Sequence, residues 1–130
     1  MNNKDGNIKE KLKQALISTA RAISGDFEIS HDFKENKNSK KFDFLDLETL
    51  NSKKDFIKAR ADYDSAALKK KFSSSKIYKD NLPNNSSCKS LYSIAEKIRY
   101  ETLGGKMLVG IKKNLEENYY QILNQKRKDQ

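Results

Sequence analysis

The residues best placed to do chemistry in this chain are charges that stand where apolar side chains belong. Between Ser52 and Phe72 a line at steps of four runs Phe56, Arg60, Asp64, Leu68 and Phe72, with two opposite charges at its centre. An Arg and an Asp one helical turn apart can pair, but a pair taken out of water is tolerable only when further hydrogen bonds complete it. A partner from another element is therefore expected to reach them. The segment from Ser87 to Leu103 supplies candidates: Glu96 and Arg99 are one turn apart, and Glu101 lies beside Ile94 and Ile98 on the apolar side. Buried charges of this kind serve either a structural network or a binding site. The choice of cation marks the same positions. Of 27 cations only Arg21, Arg60, Arg99 and Arg127 are Arg, and the first three fall in predicted helices near their apolar faces. A guanidinium is a planar fork of donors that an ammonium cannot imitate, so these positions suit bidentate geometry. Arg127 belongs to a basic tail and needs no such account.

Other chemistries are poorly supplied. His31 alternates with Phe and Ile and has no Asp, Ser or Cys in a triad arrangement, so it reads as a satisfied histidine of the core or of a hairpin edge. Cys88, the single cysteine, cannot form an internal disulfide and reads as an ordinary buried thiol. One Cys and one His cannot supply a zinc site, and no Asp/Asn ladder of a calcium loop is present. Gly104, Gly105, Lys106 and Gly110 lack the spacing of a phosphate loop and follow a helix rather than a strand. They read as a helix stop and a tight turn, with Gly110 allowing close helix packing.

The elements that must position these residues follow from hydrophobic period. Ile8, Leu12, Ala15, Leu16, Thr19 and Ile23 recur at helical spacing, and Gly25 stands where a left-handed residue would end that helix. Phe27, Ile29, His31 and Phe33 then alternate with polar residues, as do Phe42 and Phe44 before Leu45 and Leu47. This predicts a two-stranded antiparallel hairpin whose apolar face lies on the helices. Ser52 and Asp55 resemble a capping box opening a second helix to about Phe72. A connection over 73–87, with Pro83 and a turn around Ile77 and Tyr78, leads to a third helix. There Leu91, Ile94, Ala95, Ile98 and Thr102 share one face. A fourth begins near Met107 with Leu108, Ile111, Leu115, Tyr119 and Ile122 on its stripe, and residues 123–130 read as a frayed tail or linker. The fold class expected is α+β, mostly α, with about four helices and one hairpin in a single domain over 1–130.

The net charge of +9 lies wholly in the second part: residues 1–50 carry nine cations and nine anions, and residues 51–130 carry eighteen and nine. That suits an acidic partner. The abundance of Lys and Asn is also what AT-rich coding produces, which favours a compositional bias over a dedicated patch. With no apolar run of about 18 residues and no secretory start, a soluble, cytoplasmic chain with no membrane contact is expected.

Three ordered blocks carry a resemblance. Thr19-Ala20-Arg21-Ala22-Ile23-Ser24-Gly25-Asp26 with Glu28, Ile29 and Phe33 is similar to the opening signature of the aerobic cobaltochelatase T subunit. Arg60-Ala61-Asp62-Tyr63-Asp64-Ser65-Ala66-Ala67-Leu68 resembles that family's Arg-Gly-x-x-Asp-Ser-x-Ala-Leu helix. Glu96-Lys97-Ile98-Arg99-Tyr100-Glu101-Thr102-Leu103-Gly104, with Met107, Gly110, Asn114 and Leu115 beyond, resembles its Glu-x-x-Arg-x-Glu-x-Leu-Gly segment. The likeness spans about residues 8 to 120. Ala61 replaces the usual Gly, and Lys69 to Ser75 replaces a His-rich stretch, so no role resting on those histidines carries over. The family's acidic linker and von Willebrand A-type domain are absent, which implies a fragment or a shortened protein.

The resemblance implies a non-catalytic assembly and coupling module in cobalamin (vitamin B12) biosynthesis. The assembly inserts Co²⁺ into hydrogenobyrinic acid a,c-diamide using ATP and Mg²⁺, and no cofactor is expected in this segment. The implied partners are an AAA+ ATPase subunit and a large corrin-binding subunit. The expected interaction or buried charge network is Arg21, Asp26, Arg60, Asp64, Glu96, Arg99 and Glu101. Alternatively, Arg60, Asp64, Arg99 and Glu101 contact the corrin or the metal directly. The reading from another class is a small basic helical protein that binds nucleic acid; no recognition-helix motif or interleaving of aromatic and basic residues supports it.

Overall fold

Each helix of this chain begins or ends where a local signal allows it, and one helix is covered on most of its girth. The computed structural model describes residues 3–29 and 52–130. Five helices follow in order: α1 (Asn3–Ser24), α2 (Lys53–Phe72), α3 (Ser75–Asp80), α4 (Ser86–Met107) and α5 (Val109–Lys128). Ser52 caps α2, its side chain accepting from the Asp55 N–H at 3.3 Å. Asn85 caps α4 by accepting from the N–H groups of Ser87 and Cys88. Gly25, at φ 72°, ends α1 in the left-handed conformation expected there.

The expected hairpin is overturned: the described residues are all helix and connection, with no strand among them. After Gly25 the chain makes a turn. The Asp26 N–H donates to Ser24 Oγ at 3.1 Å and the Glu28 N–H to Asp26 Oδ1 at 3.0 Å, so side chains take backbone donors that a ladder would use. Phe27 is 75% exposed while Ile29 is 4%, although alternation would put both on one face. His31, Phe33, Phe42, Phe44, Leu45 and Leu47 lie outside the described residues.

Helix α2 is the centre. It packs against α1, α4 and α5, and α4 packs against α5. Its buried residues, Ile57, Ala59, Ala61, Tyr63, Asp64, Ser65, Ala67 and Leu68, face several directions. The line at steps of four is not a single buried face, since Phe56 and Arg60 are exposed while Asp64 and Leu68 are buried. Each step of four overshoots a turn by about 40°, so the ends of such a line cannot share a face. The core joins Leu16, Ile17, Ala20 and Ile23 of α1 to Ala61, Tyr63, Ala67 and Leu68 of α2, Tyr100 of α4, and Ile111 and Leu115 of α5.

Gly104 and Gly105 do not stop α4, which continues to Met107. Gly104 instead lets α2 approach. A Cβ there would fall 2.2 Å from Leu68 Cδ2, and Leu68 is itself fully buried. Gly105 plays a milder version of this role against Lys112 of α5, at 3.3 Å from its Cβ. Gly110, expected to permit close packing, has nothing within 4 Å of such a Cβ. The turn between α4 and α5 is the single residue Leu108, and α5 runs to Lys128, so that most of residues 123–130 are helical.

Gly104→Ala is expected to destabilise by about 1–3 kcal/mol through overpacking, even though Ala favours a helix interior over Gly by about 1 kcal/mol. Leu68→Ala alone should cost about 2–5 kcal/mol. In urea unfolding the double variant should lose less than the sum, because the smaller side chain vacates the space the new methyl needs. Additive losses would refute the contact.

Candidate functional site

Of the charged residues singled out above, Asp64 and Glu101 are buried where α2, α4 and α5 meet, and their closest partners are neutral donors. Glu101 of α4 is 8% exposed. It accepts from Ser65 Oγ of α2 at 2.6 Å and from Tyr119 Oη of α5 at 2.6 Å. Lys97 Nζ, half exposed one turn earlier, stands 3.9 Å away. Two hydroxyls from two helices thus saturate one buried carboxylate, and hydrogen bonds to a charged acceptor are worth about 1.5–3 kcal/mol each. The carboxylate in turn raises the pKa of the Tyr119 hydroxyl, after the larger effect of burial.

Asp64, on the same turn of α2 as Ser65, is 3% exposed and accepts from Asn114 Nδ2 of α5 at 2.9 Å. Burial raises its pKa, against the hydrogen bond from Asn114 and the field of Arg60. Arg60 is exposed and bears on Asp64 through that field. The expected meeting of guanidinium and carboxylate heads from separate helices inside the bundle is therefore replaced by amide and hydroxyl donors. Neutral donors satisfy a buried carboxylate without desolvating a second ion, which is the less costly arrangement.

Glu96 and Arg99 do pair, within α4. Arg99 Nε donates to Glu96 Oε2 at 2.9 Å and Nη2 to Oε1 at 2.7 Å. Their reach to α2 is through its end: Arg99 Nη2 donates to the Phe72 carbonyl at 2.7 Å, and Ser73 Oγ to Glu96 Oε1 at 2.7 Å. The pair closes a carbonyl that the last turn of α2 leaves unsatisfied. The Arg99 hydrogen bonds lead in holding the Glu96 carboxyl down at about 2. Beside it lies a cavity of about 280 Å³ lined by Phe72, Ile77, Tyr78, Tyr92 and the Glu96–Arg99 pair. The Tyr78 and Tyr92 rings meet at a centroid distance of 4.8 Å.

The first block makes a separate fastening. Arg21 Nε donates to the Ile29 carbonyl at 2.8 Å, which folds the turn after α1 back onto it. Asp26 receives Lys70 of α2 at 2.5 Å. Arg60, Asp64, Arg99 and Glu101 do not line one common site: they divide among an exposed position, the Asn114 bond, the Glu96 pair and the Ser65–Tyr119 network. Sequence reading missed Ser65, Asn114 and Tyr119 as the polar partners. Their signal was present, since Ser65 and Asn114 belong to the blocks quoted above, but neutral residues on a helix give no hint of which carboxylate they serve. Cys88, expected to be buried, is exposed. Among the described residues no group of three His, Cys, Asp or Glu could hold a metal ion, and no helix is long and apolar enough to cross a membrane.

Glu101→Gln is expected to cost about 1.5–3 kcal/mol, since an amide cannot accept from both hydroxyls at its two ends. Tyr119→Phe and Ser65→Ala should each cost about 1 kcal/mol. Chemical unfolding of the three variants checks the ranking. The two other carboxyls should act oppositely with pH. Glu96, lowered from 4.5 to about 2, stabilises the fold above pH 4.5, and that contribution fades as pH falls toward 2. Glu96→Gln should flatten this part of the stability profile. Asp64 is raised above 3.8, so its contribution is present below that pH and is lost as pH rises through the folded-state value. Asp64→Asn should therefore raise the melting temperature at pH 7, with the gain vanishing at pH 3. A loss at pH 7 would show that the charged form is the one the fold requires.

The comparison with known families agrees with the resemblance carried by the three blocks. A family model described as "Cobalamin biosynthesis protein CobT" matches residues 7–130, nearly the whole chain. No solved structure matches. With Asp64–Asn114, Ser65–Glu101 and Gly104–Leu68 joining the second of the quoted blocks to the third, and the match running over residues 7–130, the chain belongs to the cobalamin biosynthesis protein CobT family.

Proposed function

We propose that this chain is a non-catalytic assembly and coupling module of the ATP-dependent aerobic cobaltochelatase. In this reading the AAA+ ATPase subunit hydrolyses ATP with Mg²⁺, and the large subunit holds the corrin and the cobalt. The present chain fastens the two together while Co²⁺ enters hydrogenobyrinic acid a,c-diamide. The observation that carries the reading is where the family's polar residues spend their bonding capacity. Ser65, Asn114 and Glu101 bond across helices, and Glu96 with Arg99 closes the end of α2. A catalytic group needs its reactive atom turned toward a substrate. These atoms are turned toward each other, which supports a rigid adaptor rather than a reaction centre.

Membership in the family supports a place in cobaltochelatase; the coupling role and the identity of the contacted subunits are the proposal. The tagged chain should retain the ATPase and large subunits on an affinity column at physiological salt, with a full-length T subunit as positive control. It should show no ATP hydrolysis by itself. Failure to retain either subunit while the full-length control retains both would overturn the assignment.

A further inference from the structure

Helix α4 presents its most regular apolar face to solvent. Leu91, Ile94 and Ile98, read from sequence as core, are 67%, 56% and 59% exposed, and Ala95 and Thr102 beside them are exposed as well. The helix is held instead by Tyr92, Glu96, Tyr100, Glu101, Gly104 and Gly105. The aliphatic face nonetheless has a definite relation to the rest of the fold. Ile94 lies two turns before Glu101, Ile98 two turns before Gly105, and Leu91 two turns before Ile98, so each pair shares a bearing to within about 20°. Glu101 and Gly105 are among the α4 residues that meet α5, at Tyr119 and Lys112. The exposed face is therefore the α4–α5 seam carried on toward the start of α4. The matching stretch of α5 does the same: one turn after Tyr119 come Ile122 and Leu123, 38% and 57% exposed.

Charge is sorted around this seam. Both carboxylates of α4 are engaged by the fold, Glu96 with Ser73 and Arg99 and Glu101 with Ser65 and Tyr119. The lysines of α4, Lys89, Lys97 and Lys106, are exposed; α5 carries two exposed carboxylates, Glu116 at 4.0 Å from Lys112 and Glu117, against the exposed Lys112, Lys113, Lys126, Arg127 and Lys128. An apolar ridge at i, i+3 and i+7 with a basic surround suits an amphipathic helix laid into the seam, with aliphatics inward and carboxylates on its flanks. A second copy of this chain would bring the same basic surround and a further +9 of charge against it. Nucleic acid would meet the cations but leave the aliphatics without a partner.

We propose that the extended α4–α5 seam, with Leu91, Ile94, Ile98, Ile122 and Leu123 as its floor and Lys97 and Lys126 on its rim, is a docking site for an acidic amphipathic helix of a partner protein. This deepens the assembly reading and rests on it.

The test uses the full chain with two fluorescein-labelled twenty-residue probes, one a Leu/Ala/Glu amphipathic helix and the other its Leu/Ala/Lys counterpart. Fluorescence anisotropy should show the acidic probe binding at least tenfold tighter. Ile94→Ser combined with Ile98→Ser should weaken it at least tenfold with the melting temperature unchanged, because both side chains are already in solvent. Lys97→Glu with Lys126→Glu should reverse the preference between probes. Equal binding of the two probes, or binding indifferent to the serine pair, would overturn the proposal. So would a dimer in sedimentation that the serine pair dissolves, which would mark a self-interface, or a twenty-base-pair DNA duplex whose binding the serine pair weakens equally. No chelatase subunit enters this assay, so its failure removes the docking site and leaves the family role standing. A chain that takes the acidic probe but fails the affinity-column experiment removes the chelatase reading alone.

Discussion

A carboxylate enclosed by three helices is tolerable only if each of its oxygens is answered, and the arrangement of α2, α4 and α5 is organised around meeting that demand at Glu101. One oxygen takes the Ser65 hydroxyl from α2 and the other the Tyr119 hydroxyl from α5. Because each hydroxyl reaches only about 2.7 Å, the bonds define how far the helices can slide past one another. One turn further along α4, Gly104 sets their separation by admitting Leu68 against bare backbone. Register and spacing are thus set by neighbouring residues of one helix, the first by polar reach and the second by the absence of a side chain. An apolar contact in place of Glu101 would tolerate sliding by an ångström or more, since dispersion and burial are non-directional.

The same logic extends to the other polar contacts between elements. Asp64 with Asn114 ties α2 to α5, Glu96 with Ser73 and Arg99 with the Phe72 carbonyl close the end of α2, and Lys70 with Asp26 ties the turn after α1 to α2. The buried Asp64 and the Phe72 carbonyl at the end of α2 in particular find in these contacts the partners that enclosed polar groups require. Asp64 runs against simple stabilisation, because burial disfavours its charged form. Such a group confers specificity of pairing at some expense of stability, as buried polar residues do where one register must be chosen over its neighbours. The adaptor role proposed above would benefit from that kind of rigidity.

What the fold leaves outside is as organised as what it encloses. The bundle takes the polar and aromatic side of α4 into its interior and leaves Leu91, Ile94 and Ile98 in water. A monomer gains nothing from a run of exposed aliphatics at helical spacing, which is the usual mark of a contact surface. On α4 the carboxylates are engaged by the fold and the lysines are left outward, which gives that surface a sign as well as a shape.

Much of this protein was legible in its residues taken in order. The caps at Ser52 and Gly25 and the helical spans rest on interactions a few residues apart, which sequence encodes directly. Charges interrupting apolar helical lines also pointed to Asp64, Glu96, Arg99 and Glu101 as the ones to follow. Tertiary structure decided the rest. Whether the turn after Gly25 becomes a strand depends on donors that Ser24 and Asp26 capture locally, against an alternation that suggested a ladder. Whether an apolar stripe is core depends on which neighbour arrives to cover it, and α4 turned its other side to α2. Periodicity reports that a face exists, whereas only the packed chain determines what, if anything, lies against it.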